Sequence, residues 1–80
     1  MNTIRIADII FGIIRDYSPS IYTLTQACDE LIRILKQTGH EDAYIEPGNG
    51  RNSRSVRVDG HRFRIVRNAG WTHYDVRIIA

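Results

Sequence analysis

Residues 55–66 read Ser-Val-Arg-Val-Asp-Gly-His-Arg-Phe-Arg-Ile-Val, an alternating run that folds back on itself at Asp59-Gly60. Apolar side chains fall on every second position on both sides of a dipeptide that readily takes the two positive-φ conformations of a type I′ turn. No other stretch constrains the fold as strongly, because period-two alternation suits a strand with one face buried and the other wet. A two-residue loop pairs Val58 with His61, Arg57 with Arg62 and Val56 with Phe63, since hairpin register follows from loop length. One face of the hairpin is thereby core, and the other is arginine.

The alternation resumes after Asn68-Ala69-Gly70-Trp71, in Thr72–Ile79. A four-residue loop there pairs Phe63 with Val76, Arg64 with Asp75 and Arg62 with Arg77. Arg57, Arg62 and Arg77 then form one outward row, with Arg64 between Ser55 and Asp75. Like charges directly opposite one another destabilise a sheet by roughly 0.2–1 kcal/mol per pair. Either the long side chains fan into water and screening makes that cost trivial, or the row meets an anionic partner, since local conflicts tend to mark working surfaces.

Two helices precede the sheet. From Thr3 to Tyr17 the apolar residues cover about 220° of a helical wheel, so this helix must be covered on two sides. Helix 2 and the sheet supply that cover within one chain, and a second copy is the alternative; the monomer is the expectation. Ser18-Pro19-Ser20 stops the helix. A second helix starts at Thr23, which has capping-box spacing to Gln26. It buries Leu24, Ala27, Cys28, Leu31, Ile34 and Leu35 along one stripe and ends at Thr38, with Gly39 as a left-handed cap. Residues 43–46 fit a short edge strand. The expected fold is α+β: one domain over 1–80, a helical hairpin (3–17 and 23–38) packed on one face of a three- to four-stranded antiparallel sheet with strands near 43–46, 54–58, 61–67 and 72–79.

The net charge of +2 hides a polarity. Residues 1–46 carry four basic and seven acidic side chains, whereas residues 47–80 carry seven arginines against Asp59 and Asp75. Such asymmetry points to an anionic partner on the basic half, and arginine is the cation suited to bidentate contact with phosphate or carboxylate. The single Cys28 excludes an internal disulfide, and three scattered histidines assemble no zinc set, so neither metal nor other cofactor is expected. The isoleucine-rich start is broken by Arg5, Asp8 and Gly12 and matches neither a signal peptide nor a membrane span, making the cytoplasm the expected location.

Candidate chemistry is sparse. Cys28 lies on an apolar stripe with no histidine placed to activate it. The Pro47–Gly50 loop followed by Arg51 is glycine-rich and cationic, which suits a phosphate nest or, more simply, a flexible connector. Trp71 is either tucked over the end of the sheet or offered to a partner. His73 and Asp75 share the outer face with Arg62, Arg64 and Arg77, but a cross-strand Asp75–Arg64 pair explains the aspartate without catalysis.

The stretch from Arg51 to Ile79 resembles the C-terminal strands of the RelE/ParE toxin superfamily, through Gly50-Arg51, Val56-Arg57-Val58, a short turn, Phe63-Arg64-Ile65-Val66 and Val76-Arg77-Ile78-Ile79. That resemblance implies a small toxin, acting on ribosome-bound RNA or on gyrase, with Arg62, Arg64 and Arg77 engaging the target. Those toxins usually begin with a strand ahead of the helices, and this chain opens on a helix. In size and αα-βββ layout the whole chain is similar to small phage-encoded anti-CRISPR proteins. That similarity implies a non-catalytic inhibitor that docks on a Cas effector or comparable nucleoprotein complex and blocks DNA binding or cleavage. The leading expectation is such a binding protein, contacting its partner through Arg57, Arg62, Arg64 and Arg77 with Trp71 nearby. A toxin-like ribonuclease and a small nucleic-acid-binding module are the alternatives.

Overall fold

The computed structural model of the chain describes residues 2–48 and 50–79. Helix α1 runs Thr3–Ile14 and α2 runs Leu24–Gln37. Strands β1 (Tyr44–Ile45), β2 (Ser53–Val58), β3 (His61–Arg67) and β4 (Tyr74–Ile78) follow. They form an antiparallel meander in the order β1-β2-β3-β4, so the fold is the expected α+β arrangement with helices ahead of the sheet.

Local chemistry accounts for most element ends. The Asn2 side chain caps α1 by accepting from the Arg5 N–H at 2.8 Å. At α2 the Thr23 hydroxyl accepts from the Gln26 N–H at 3.1 Å while the Gln26 side chain accepts from the Thr23 N–H at 2.9 Å, a complete capping box. Gly39, with φ 103°, closes the helix. The His40 N–H reaches back to the Leu35 carbonyl at 2.9 Å and the Gly39 N–H to the Lys36 carbonyl at 3.4 Å, the two bonds of a Schellman motif. Helix α1 ends three residues earlier than the apolar pattern implies. Its last turn tightens into i to i+3 bonds, Asp16 to Ile13 and Tyr17 to Ile14.

The core is one cluster between the helices and the inner face of the sheet. Ile6, Ile10 and Ile14 of α1, Ala27, Cys28, Leu31 and Leu35 of α2, and Val56, Val58, Phe63, Ile65 and Tyr74 of the sheet are buried. Each large apolar member contributes roughly 1.5–3 kcal/mol relative to exposure. Helix α1 lies along β4 and against α2, while α2 covers β1 and β2. The apolar arc of α1 is wider than this cover: Ile4 remains 67% exposed and Phe11 44%.

Asp59 (φ 52°) and Gly60 (φ 81°) take the two positive-φ positions of the tight turn, and the β2–β3 register follows as expected, with Arg57 opposite Arg62 and Val56 opposite Phe63. The β3–β4 register differs from the sequence expectation by two residues. Phe63 stands opposite Ile78, Arg64 opposite Arg77 and Val66 opposite Asp75. The cause is Asn68, whose side-chain oxygen accepts from the N–H groups of Thr72 (2.8 Å) and His73 (3.1 Å). Those residues are thereby held in the loop, and the strand begins at Tyr74 rather than Thr72. A shift of two preserves which side chains face out.

Candidate docking surface

All four candidate arginines project from the outer face, the side of the sheet away from the helices. Cross-strand neighbours there form two rows. Tyr44, Arg57, Arg62 and Ile79 make one, the last joined through its N–H to the Arg62 carbonyl at 3.0 Å. Glu46, Ser55, Arg64 and Arg77 make the other. The expected row of Arg57, Arg62 and Arg77 is thus corrected: Arg77 has slid along β4 to face Arg64, and Asp75 no longer faces Arg64.

The two arginine pairs differ in electrostatics. Glu46, just past β1, places one carboxylate oxygen 2.6 Å from Nε of Arg62 and 3.5 Å from Nε of Arg57, so the like-charge conflict in that row is relieved by an acid between the two cations. In sequence Glu46 is only the end of an edge strand. Its partner lies 16 residues away, and only the β1–β2 pairing brings them together. Arg64 and Arg77 are exposed and have no acidic group within salt-bridge distance among the described residues. Asp75, the nearest expected partner, is 2.8 Å from Nε2 of His73 instead. Beside Arg64 a depression of about 120 Å³ is lined by Pro47, Gly48, Ser53, Ser55 and Arg62 among others. The nest imagined at residues 47–50 includes Asn49, which lies outside the described residues.

Trp71 is set apart from the arginine face. It sits in the β3–β4 loop at the far end of the strands from the Asp59-Gly60 turn, 53% exposed. The Arg67 guanidinium carbon lies 3.4 Å from the centre of its ring, a cation–π stack worth about 0.5–1 kcal/mol at an exposed site. Its φ of 58° is left-handed, which costs a non-glycine residue roughly 1–2 kcal/mol. Trp71, Arg67, Arg51, Tyr22 and Ile21 help to line a groove of about 400 Å³ between the α1–α2 loop and the start of β4. The groove is held together by Tyr74, whose hydroxyl donates to the Tyr22 carbonyl at 2.8 Å. Alternation along the chain does not set Arg51 and Arg67 beside Trp71. The spacing of Arg67 and Trp71 across one turn was the available signal.

Groups with catalytic or ligating chemistry are dispersed. His61 bonds to Thr3 at 2.8 Å, His40 to Asp59 at 2.8 Å and His73 to Asp75, at three separate places. Burial pushes the Cys28 thiol up to about 12, overcoming the opposite pull of Arg54, so at neutral pH it is a protonated core side chain. Arg54 itself points to the inner side of β2, with Nη2 donating to the Glu46 carbonyl at 3.2 Å and Nε buried without a partner among the described residues. Among the described residues no three His, Cys, Asp or Glu side chains are grouped to hold a metal ion, and no helix is long and apolar enough to cross a membrane.

No protein-family model matches the chain, and neither a curated protein nor a solved structure matches it significantly.

Proposed function

We propose that this chain is a non-catalytic binding protein that docks the arginine face of its sheet on an anionic surface. The surface belongs to a nucleoprotein machine such as a CRISPR–Cas effector, whose target-DNA binding or cleavage the protein blocks. One observation carries this reading: Arg64 and Arg77 stand directly opposite each other, exposed, with no carboxylate in reach among the described residues. Two like charges in register cost the isolated domain stability, and an anion set between two guanidinium groups reverses the sign of that interaction. The face is broad, and its depression of about 120 Å³ is well below the roughly 300–1,000 Å³ typical of small-molecule sites. A macromolecular surface fits it better than a metabolite does.

The test is inhibition of target cleavage by a panel of purified Cas effector complexes, with wild-type protein and the double variant Arg64→Ala/Arg77→Ala, alongside binding to free duplex and single-stranded DNA. The reading expects wild-type protein to inhibit an effector at stoichiometric concentration, the double variant to lose at least tenfold, and free DNA to bind far more weakly. Equal inhibition by both proteins overturns the docking face. Tight binding to free DNA with a steep salt dependence overturns the inhibitor in favour of a nucleic-acid-binding module. Growth arrest on expression, relieved by Arg62→Ala or Arg64→Ala, overturns it in favour of a toxin.

A further inference from the structure

The two edges of the sheet are unlike. β1 is two residues long, whereas β4 presents five, Tyr74–Ile78. The Ile79 N–H bonds to the Arg62 carbonyl and the Asn68 N–H to the His73 carbonyl. In an antiparallel ladder the inward and outward groups alternate, so odd-numbered residues of β4 bond to β3. The N–H and C=O groups of Tyr74, Val76 and Ile78 therefore point away from the sheet. An edge of this kind is a template for a further strand.

The sequence of that edge is complementary to itself. We infer that the protein forms a two-fold dimer by antiparallel pairing of β4 with β4 of a second copy, centred on Val76. In this register Val76 faces Val76 of the second copy and Tyr74 faces its Ile78, the hydrogen-bonded positions that the free groups require. Asp75 then faces Arg77 of the second copy, and Arg77 its Asp75, at the non-hydrogen-bonded positions where side chains approach most closely. Sliding by two residues one way puts Asp75 against Asp75, and the other way Arg77 against Arg77. Only the register centred on Val76 sets both charges against their opposites.

The inner side of the same edge carries apolar surface that is left uncovered among the described residues. Ile78 stands opposite Phe63 on the core side and is still 50% exposed. Ile4 and Phe11, seven residues apart on α1, are 67% and 44% exposed. At 100° per residue they lie on the flank of α1 opposite Ile9 and Ile13, which pack against the core, and α1 itself lies along β4. Extending the sheet through β4 brings the two α1 helices side by side and buries these three residues from each copy. The single-chain packing expected from sequence thus leaves a remainder that a second copy accounts for. The dimer does not rest on the docking reading; in it Arg77 gains Asp75 of the second copy, so Arg64 is the bare cation of the facing pair on each copy, and the two arginine faces join on one continuous sheet.

Sedimentation velocity across a concentration series tests it, with Asp75→Arg, Arg77→Asp, the double swap Asp75→Arg/Arg77→Asp, and Val76→Pro. Wild-type protein is expected to sediment as a dimer at micromolar to tens of micromolar concentration. Each single charge variant should raise the dissociation constant at least tenfold, and the double swap should recover most of the loss. The two single variants, mixed, should associate with each other. Val76→Pro removes an outward N–H while keeping all four arginines of the docking face, and should be monomeric with an unchanged circular dichroism spectrum. A wild-type protein that is monomeric at high concentration overturns the inference. So does a dimer indifferent to both single charge variants and to Val76→Pro.

Discussion

Replacing Glu46 by Gln should weaken the fold and strengthen docking at once. The carboxylate accepts from Nε of Arg62 at 2.6 Å and lies 3.5 Å from Nε of Arg57, with the two arginine side chains 36% and 43% exposed. A charge-assisted hydrogen bond is worth about 1.5–3 kcal/mol when well buried. Exposure of both cations and the retained amide oxygen reduce this to about 1 kcal/mol, or a fall in Tm of roughly 4–8 °C for a domain of this size. The outer face meanwhile carries four arginines against Glu46 and Asp75, so the substitution raises its net charge from +2 to +3. One more unscreened unit charge near an anionic group contributes about 1 kcal/mol in water, roughly fivefold in affinity at low salt, and the gain should fade toward 1 M salt, where the Debye length is about 3 Å. Differential scanning calorimetry measures the first effect, and salt elution from heparin the second. Earlier elution of Glu46→Gln than of wild type would refute the claim that Arg57 and Arg62 belong to the docking face.

Three further outcomes follow from the packing. Tyr74→Phe removes the bond to the Tyr22 carbonyl and should cost about 1–1.5 kcal/mol in urea unfolding; a neutral result would mean that the groove wall is not tied to β4. Trp71→Gly should be about 1 kcal/mol more stable than Trp71→Ala, because both lose the Arg67 stack but only glycine relieves the left-handed backbone, and equal stabilities would remove the strain. The Cys28 thiol keeps its proton up to about 12 in the folded chain, whereas an unfolded thiol loses it near 8.5. Stability from this group is therefore full below about pH 8 and falls by up to about 1.4 kcal/mol per pH unit between about 9 and 12, and iodoacetamide should modify Cys28 only on unfolding. Rapid alkylation of the folded protein at pH 8 would contradict its burial.

The sequence alone determined the elements whose energetics are local. Asp59-Gly60 takes positive φ because few other dipeptides do so at low cost, and a two-residue loop leaves one register for β2 and β3. Thr23 with Gln26, and Gly39 with His40, close α2 through bonds that span three to five residues. Period-two alternation likewise sorts Arg57, Arg62, Arg64 and Arg77 onto one face, and it survives a register error of two. Tertiary structure decided everything that depends on which distant groups meet. The Asn68 side chain chose the β3–β4 register, a competition between loop hydrogen bonds that alternation does not encode. Glu46 found Arg62 and Arg57 only through the pairing of β1 with β2, so which arginines are neutralised and which remain bare was not readable along the chain. The same holds for the β4 edge. Its charges look ordinary in sequence, and the self-pairing inferred for them depends on a strand order that, among the described residues, leaves one side of β4 without a neighbour.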